Sequence, residues 1–183
     1  MSIQFTIPSW SILVPLFLVL TIFFGFKTFK RKVFSVERLL LLLTFTLYFL
    51  AVLHLVFFPI EVNIGRFANQ TIWYNSINFI PILTIDVKTF LLNILMMVPF
   101  GICLPLLRSK SRTAASVGKF ALCVSLSLEV MQMIIRVTLG SGRSTDINDI
   151  IANTLGGVFG FLIYKRLTYV KAVRCMIDRY RLG

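Results

Sequence analysis

The chain has 183 residues, of which 57% are hydrophobic and 14% charged, with a mean hydropathy of +0.88. An average globular chain is about 25% charged, so a water-soluble domain of this size would have too few charges to cover it, and a disordered or coiled-coil chain is excluded on the same grounds. The net charge of +12 sits in short segments between apolar runs, which suits anionic lipid and argues against a nucleic-acid partner.

Five runs reach the length of about 20 apolar residues needed to cross the hydrocarbon. Ile7–Phe26 has Pro15 as a kink point, and Leu39–Phe58 carries His54 as its one ionisable group. Phe90–Leu107 is interrupted by Asn93 and by the turn signal Pro99-Phe100-Gly101. Val117–Leu139 holds Glu129, Gln132 and Arg136, and Ile150–Leu167 holds Asn153 and three glycines. Beyond them Val170, Val173, Ile177 and Tyr180 recur at helical spacing among basic residues, a pattern for a helix lying on the inner surface as a lipid anchor. The expected fold is an all-α integral membrane protein of five transmembrane helices plus a C-terminal amphipathic interfacial helix.

The basic residues set the orientation. Lys27, Lys30, Arg31, Lys32 and Arg38, then Arg108, Lys110, Arg112 and Lys119, then Lys165, Arg166, Lys171, Arg174, Arg179 and Arg181 all fall on one side of a five-span chain. Only Arg66, Lys88, Arg136 and Arg143 fall on the other. Positive charge stays inside, so the N-terminus is expected outside and the C-terminus in the cytoplasm of a bacterial cell membrane. The first span lacks a basic leader and a small-residue cleavage site, and reads as an uncleaved N-out anchor. Cys103, Cys123 and Cys175 form neither a disulfide framework nor a zinc pattern.

With this orientation the polar intramembrane residues gather in the outer half. Glu129, Gln132 and Arg136 share a helix face, Asp146 and Asp149 stand at the outer mouth of the fifth span with Asn153 one turn deeper, and Asn93 and His54 lie at the same level. Polar groups are costly in a bilayer and usually face a bundle interior or wet cavity, so an outward-facing pocket is expected. The expected ligand-binding set is Asn93, Glu129, Gln132, Arg143, Asp146, Asp149 and Asn153, with Glu129 the best catalytic candidate. Each has a structural alternative. Glu129 can pair with Arg136 or Arg143; Asp146 and Asp149 can cap a helix; Asn93, Gln132 and Asn153 can bond between helices; His54 suits a structural place at the interface. Gly156-x-x-x-Gly160, with Gly157 beside it, allows close helix packing. Gly140-Ser-Gly-Arg143 presents a guanidinium at the tip of a turn, fit for a phosphate or carboxylate. The outer segment 60–89 holds Trp73, Tyr74 and Asn78-Phe79-Ile80-Pro81, either a lid dipping into the pocket or a piece lying on the bilayer.

These motifs in this order, Asn78-Phe79-Ile80-Pro81, Asn93 ahead of Pro99-Phe100-Gly101, Glu129-x-x-Gln132, and Arg143-x-x-Asp146-x-x-Asp149-x-x-x-Asn153-x-x-Gly156, resemble the VanZ-like family of bacterial membrane proteins. The resemblance divides the chain into an N-out anchor span with a basic cytosolic loop, 1–38, and a VanZ-like membrane domain, 39–183, with core motifs at 78–164 and a basic cytosolic tail at 165–183. It implies a Gram-positive-type envelope protein related to teicoplanin resistance and brings no established reaction with it. The leading reading is a non-enzymatic protein without cofactor or metal, engaging membrane lipid, a lipid-linked cell-wall precursor or a lipoglycopeptide. The alternative is an intramembrane hydrolase or transferase acting on a lipid-linked anion, with Glu129 as acid or base, Asp146 with Asp149 holding a cation, and Asn148 a further oxygen ligand.

The orientation is testable. In a cysteine-free background, Gln70→Cys is expected to react with an impermeant maleimide added to whole cells and Arg112→Cys is not; labelling of Arg112→Cys alone would reverse the topology.

Overall fold

The computed structural model describes residues 2–68, 73–108, 113–171 and 174. Five long helices carry the fold: α1 (Trp10–Phe29), α2 (Val36–Phe57), α3 (Val87–Leu107), α4 (Ala114–Leu139) and α5 (Ile147–Leu167). Each is long and apolar enough to cross a membrane, so the protein is a multi-pass, mostly helical membrane protein. The tail helix expected over 170–180 falls largely outside the described residues.

Two small sheets, which a purely helical reading omits, join the connections at one end of the bundle. Strand β1 (Ile3–Ile7) pairs antiparallel with β2 (Ile60–Ile64), Ile3 facing Ile64 and Ile7 facing Ile60. Strand β3 (Ile77–Asn78) pairs in parallel with β4 (Thr145–Asp146). The ends of α2 and α4 and the starts of α1, α3 and α5 meet at this sheet end. The basic segments gather at the other.

Helix starts follow local chemistry. Ser35, Thr113 and Asp146 each accept a backbone N–H from the first turn of the helix they precede. Asp86 does so for α3, accepting from the amides of Lys88 and Thr89 and from the Thr89 hydroxyl, and these bonds hold its exposed carboxyl below the usual range. The α4 helix ends at Gly140 in the left-handed conformation, with Asn63 of β2 packed so close that a Cβ would strike its carbonyl oxygen. Asn63 also donates to Gly140 O at 3.2 Å, which ties β2 to the end of α4.

The Pro99-Phe100-Gly101 signal does not interrupt the third span. The α3 helix runs unbroken through Pro99 and Pro105. In hydrocarbon a helix keeps its remaining backbone bonds because no water competes for them, and a close neighbour helps hold it. That neighbour is α5, packed more tightly on α3 than any other pair of helices. A Cβ at Gly156 would meet Ile94 O, one at Gly160 would meet Val98 O, and one at Gly101 would meet Gly157 O. Gly157 makes the separate approach to α4, against the Ala121 Cβ. So Gly156 and Gly160 dock α5 on α3, and the residue between them brings in α4.

Two apolar clusters complete the interior. Met97, Phe100, Leu104, Val117, Ala121, Phe161 and Tyr164 fill the α3–α4–α5 junction toward the basic end. Val52, Phe57, Phe58, Ile60 and Leu128 join α2 and β2 to α4. The Tyr48 hydroxyl donates to Met96 O at 2.9 Å and holds α2 to α3. The α1 helix is peripheral; Trp10, Val19, Ile22 and Phe23 are exposed along it.

The glycine seam predicts a contrast. Gly160→Leu forces backbone apart and is expected to destabilise by about 1–3 kcal/mol or more. Gly25→Leu, on α1 with nothing within 4 Å of its Cβ position, is expected to leave the thermal midpoint in detergent unchanged.

Candidate functional site

Glu129 lies at mid-α4 and is 4% exposed. Its Oε2 accepts the backbone N–H of Asp146 at 3.1 Å, and Thr145 Oγ1 reaches Glu129 O at 3.5 Å. It is therefore held by the start of α5 and not by either arginine. Arg136 Nη1 donates to Arg143 O at 2.8 Å, and Arg143 Nη2 donates to Phe58 O at 2.9 Å. These two bonds pin the 140–145 turn across the ends of α2 and α4.

The other polar residues bond between elements. Asn93 Nδ2 of α3 donates to Asp149 Oδ1 of α5 at 2.6 Å. Asn153 Nδ2 donates to Ser125 Oγ of α4 at 3.0 Å, and Gln132 Nε2 donates to Val56 O of α2 at 3.1 Å. Six of the seven expected residues, Asn93, Glu129, Gln132, Arg143, Asp149 and Asn153, line one pocket of about 560 Å³ between α2, α3, α4 and α5 in the sheet-end half. That volume suits a small molecule or a headgroup. Leu55, Leu92, Leu95, Met96 and Leu128 supply much of the apolar wall.

Asp146 stands apart from the pocket lining. Its Oδ1 accepts the Asn148 amide at 2.8 Å and its Oδ2 accepts Asn78 Nδ2 at 3.0 Å, so both oxygens are committed to shaping the start of α5. Among the described residues there is no group of three or more His, Cys, Asp or Glu side chains able to hold a metal. His54 is exposed on α2 and is not among the residues that line the pocket.

The segment expected to be a lid or a surface piece is docked beside the pocket, on the start of α5. Asn148, a residue the expected site omitted, is the anchor. Its Oδ1 accepts the Ile82 amide at 2.8 Å, and its Nδ2 donates to Thr84 Oγ1 at 3.2 Å and Ile80 O at 3.4 Å. Asn78 donates to Thr84 Oγ1 at 2.6 Å and accepts the Ile80 amide at 3.1 Å. Ile82 has φ +69°, a left-handed conformation that strains a β-branched residue by about 1–3 kcal/mol. The Asn148 acceptor holds it there. Phe79, Ile80, Ile82 and Leu83 leave their side chains exposed. Ser125, fully buried, was also missed; its spacing four residues before Glu129 on one helix face was the available signal.

Residues 45–169 match the family model described as VanZ/LLP1. The chain belongs to the VanZ/LLP1 family. It is 31% identical over 121 residues to Protein VanZ of Enterococcus faecium, covering 64% of this chain and 69% of that protein. No solved structure matches it significantly. Every residue lining the pocket of this VanZ-like protein lies inside the matched range, whereas β1 and α1 precede it.

Asn148→Ala removes the acceptor and donors that hold 77–84, each lost bond leaving a group about 1–3 kcal/mol worse off where it stays buried. Faster amide hydrogen exchange at 80–84 is the expected outcome, with exchange in α3 unchanged. Ile82→Gly, which relieves the strained φ, is expected to slow exchange there.

Proposed function

We propose that this VanZ-like protein is an envelope protein of the teicoplanin-resistance type, whose pocket engages a lipid headgroup or a lipid-linked cell-wall precursor. The reading rests on one observation: seven polar side chains from α3, α4, α5 and the 140–145 turn, Thr89 with the six expected residues, converge on a single pocket in a bundle whose exposed surface is rich in large apolar side chains. Polar groups at such depth are expensive to keep and mark sites of action by default. The sheet end is the outer end in this reading, because the basic segments crowd the opposite end. Occupancy of the pocket at the outer leaflet would change how a lipid-anchored glycopeptide reaches its target at the membrane surface. Arg143, with one nitrogen on Phe58 O, keeps further donors for a phosphate.

Teicoplanin susceptibility in a null strain complemented with wild type, Arg143→Ala or Glu129→Ala checks the reading. Wild type is expected to raise the inhibitory concentration, and both variants to return it to the null value with unchanged membrane content of the protein. Equal susceptibility in all four strains would refute the link to glycopeptides.

A further inference from the structure

Two acceptors in the pocket wall have no donor. Gln132 commits Nε2 to Val56 O and Asn153 commits Nδ2 to Ser125 Oγ, which leaves Gln132 Oε1 and Asn153 Oδ1 buried and unpartnered. The two residues are only 9% and 3% exposed, and both line the pocket. A buried acceptor left without a donor is unfavourable, and every such case in a well-packed protein calls for a partner. Two carboxyl groups line the same pocket: Glu129 has one oxygen on the Asp146 amide and Asp149 has one on Asn93. No donor on the same wall reaches them. Arg143 already gives Nη2 to Phe58 O, and Asn93 gives its Nδ2 to Asp149. The amide oxygens can only accept, so an occupant that donates hydrogen bonds matches them. A bare phosphate or carboxylate brings acceptors only.

The apolar rim indicates how the occupant arrives. Leu55 of α2 and Leu92 and Leu95 of α3 line the pocket and are 62%, 54% and 64% exposed on the lipid-facing surface. The α2 and α3 helices are also packed much less closely on each other than α3 is on α5. The pocket therefore has an apolar edge in the plane of the bilayer, where acyl chains run.

We propose that the pocket takes a membrane lipid whose head carries a protonated primary amine, its chains leaving between α2 and α3. The ammonium supplies three N–H donors to Gln132 Oε1, Asn153 Oδ1 and the carboxylates, and a phosphate in the same head meets Arg143. This assignment rests on the headgroup-binding reading above and names its ligand class.

Native mass spectrometry of the delipidated full-length protein, titrated with phosphatidylethanolamine, phosphatidylcholine and phosphatidylglycerol of the same chains, tests it. Phosphatidylethanolamine is expected to bind about tenfold tighter than phosphatidylcholine, which keeps the phosphate but has no N–H to donate. Gln132→Leu is expected to abolish that preference, and soluble glycerophosphoethanolamine is expected not to displace the lipid. If Gln132→Leu fails to fold, the comparison of lipids on the wild-type protein decides alone. Equal binding of phosphatidylcholine, or equal or tighter binding of phosphatidylglycerol, would overturn the amine and leave headgroup binding standing. Displacement by the soluble head at equal concentration would overturn the lipid tether. No saturable binding of any of the three to folded protein would overturn the headgroup reading itself.

Discussion

A carboxyl group placed at the middle of a membrane helix needs a donor, and the way Glu129 obtains one sets the arrangement around it. The donor is the backbone amide of Asp146, the residue that caps α5. In a capping box the third residue of a helix reaches back to that amide. Here the third residue is Asp149, and its side chain turns to Asn93 instead. Glu129 of α4 takes over the capping role from another helix. One bond therefore fixes where α5 begins relative to the middle of α4, and it frees Asp149 to face the pocket. Asp146 then uses its side chain to cap α5 and to hold Asn78, so the β3–β4 pairing and the docked 77–84 segment depend on the same register.

Glycine supplies the complementary constraint further along α5. Gly156 and Gly160 press α5 on the α3 backbone while Gly157 presses it on Ala121 of α4. Three helices are thus locked at the basic end, where the apolar core is dense. Toward the sheet end the same helices carry Asn93, Glu129, Gln132, Asp149 and Asn153, whose polar bonds space them rather than close them. Close packing at one end and polar spacing at the other leave a pocket, and α2 covers only part of it.

Much of this was written in the sequence. The five spans follow from hydropathy, and the depth of each polar residue follows from counting along alternating helices, which is why six of seven chosen residues share one pocket. The parts that were not legible are long-range. Nothing local distinguishes Pro99 inside a supported helix from Pro99 in a turn; the support comes from α5. Arg143 reads as a free tip until Phe58 O, distant in sequence, claims one of its donors. Asp146 reads as a pocket acid until Asn78 is seen to take its second oxygen. Asn148 reads as an oxygen ligand beside Asp149, because its partners Ile80, Ile82 and Thr84 lie far off in sequence in a segment whose apolar residues suggested a lid. The pairing of residues 3–7 with 60–64 has no signal within either strand alone.

A cryo-electron-microscopy structure of the protein in nanodiscs of native membrane lipid is the most direct test. The expected result is density for a headgroup among Glu129, Gln132, Arg143 and Asp149, continuing as chains past Leu55, Leu92 and Leu95, with Glu129 on the Asp146 amide. A collapsed pocket without density, with Glu129 paired to Arg143, would contradict both the Glu129–Asp146 bond and the site built on it.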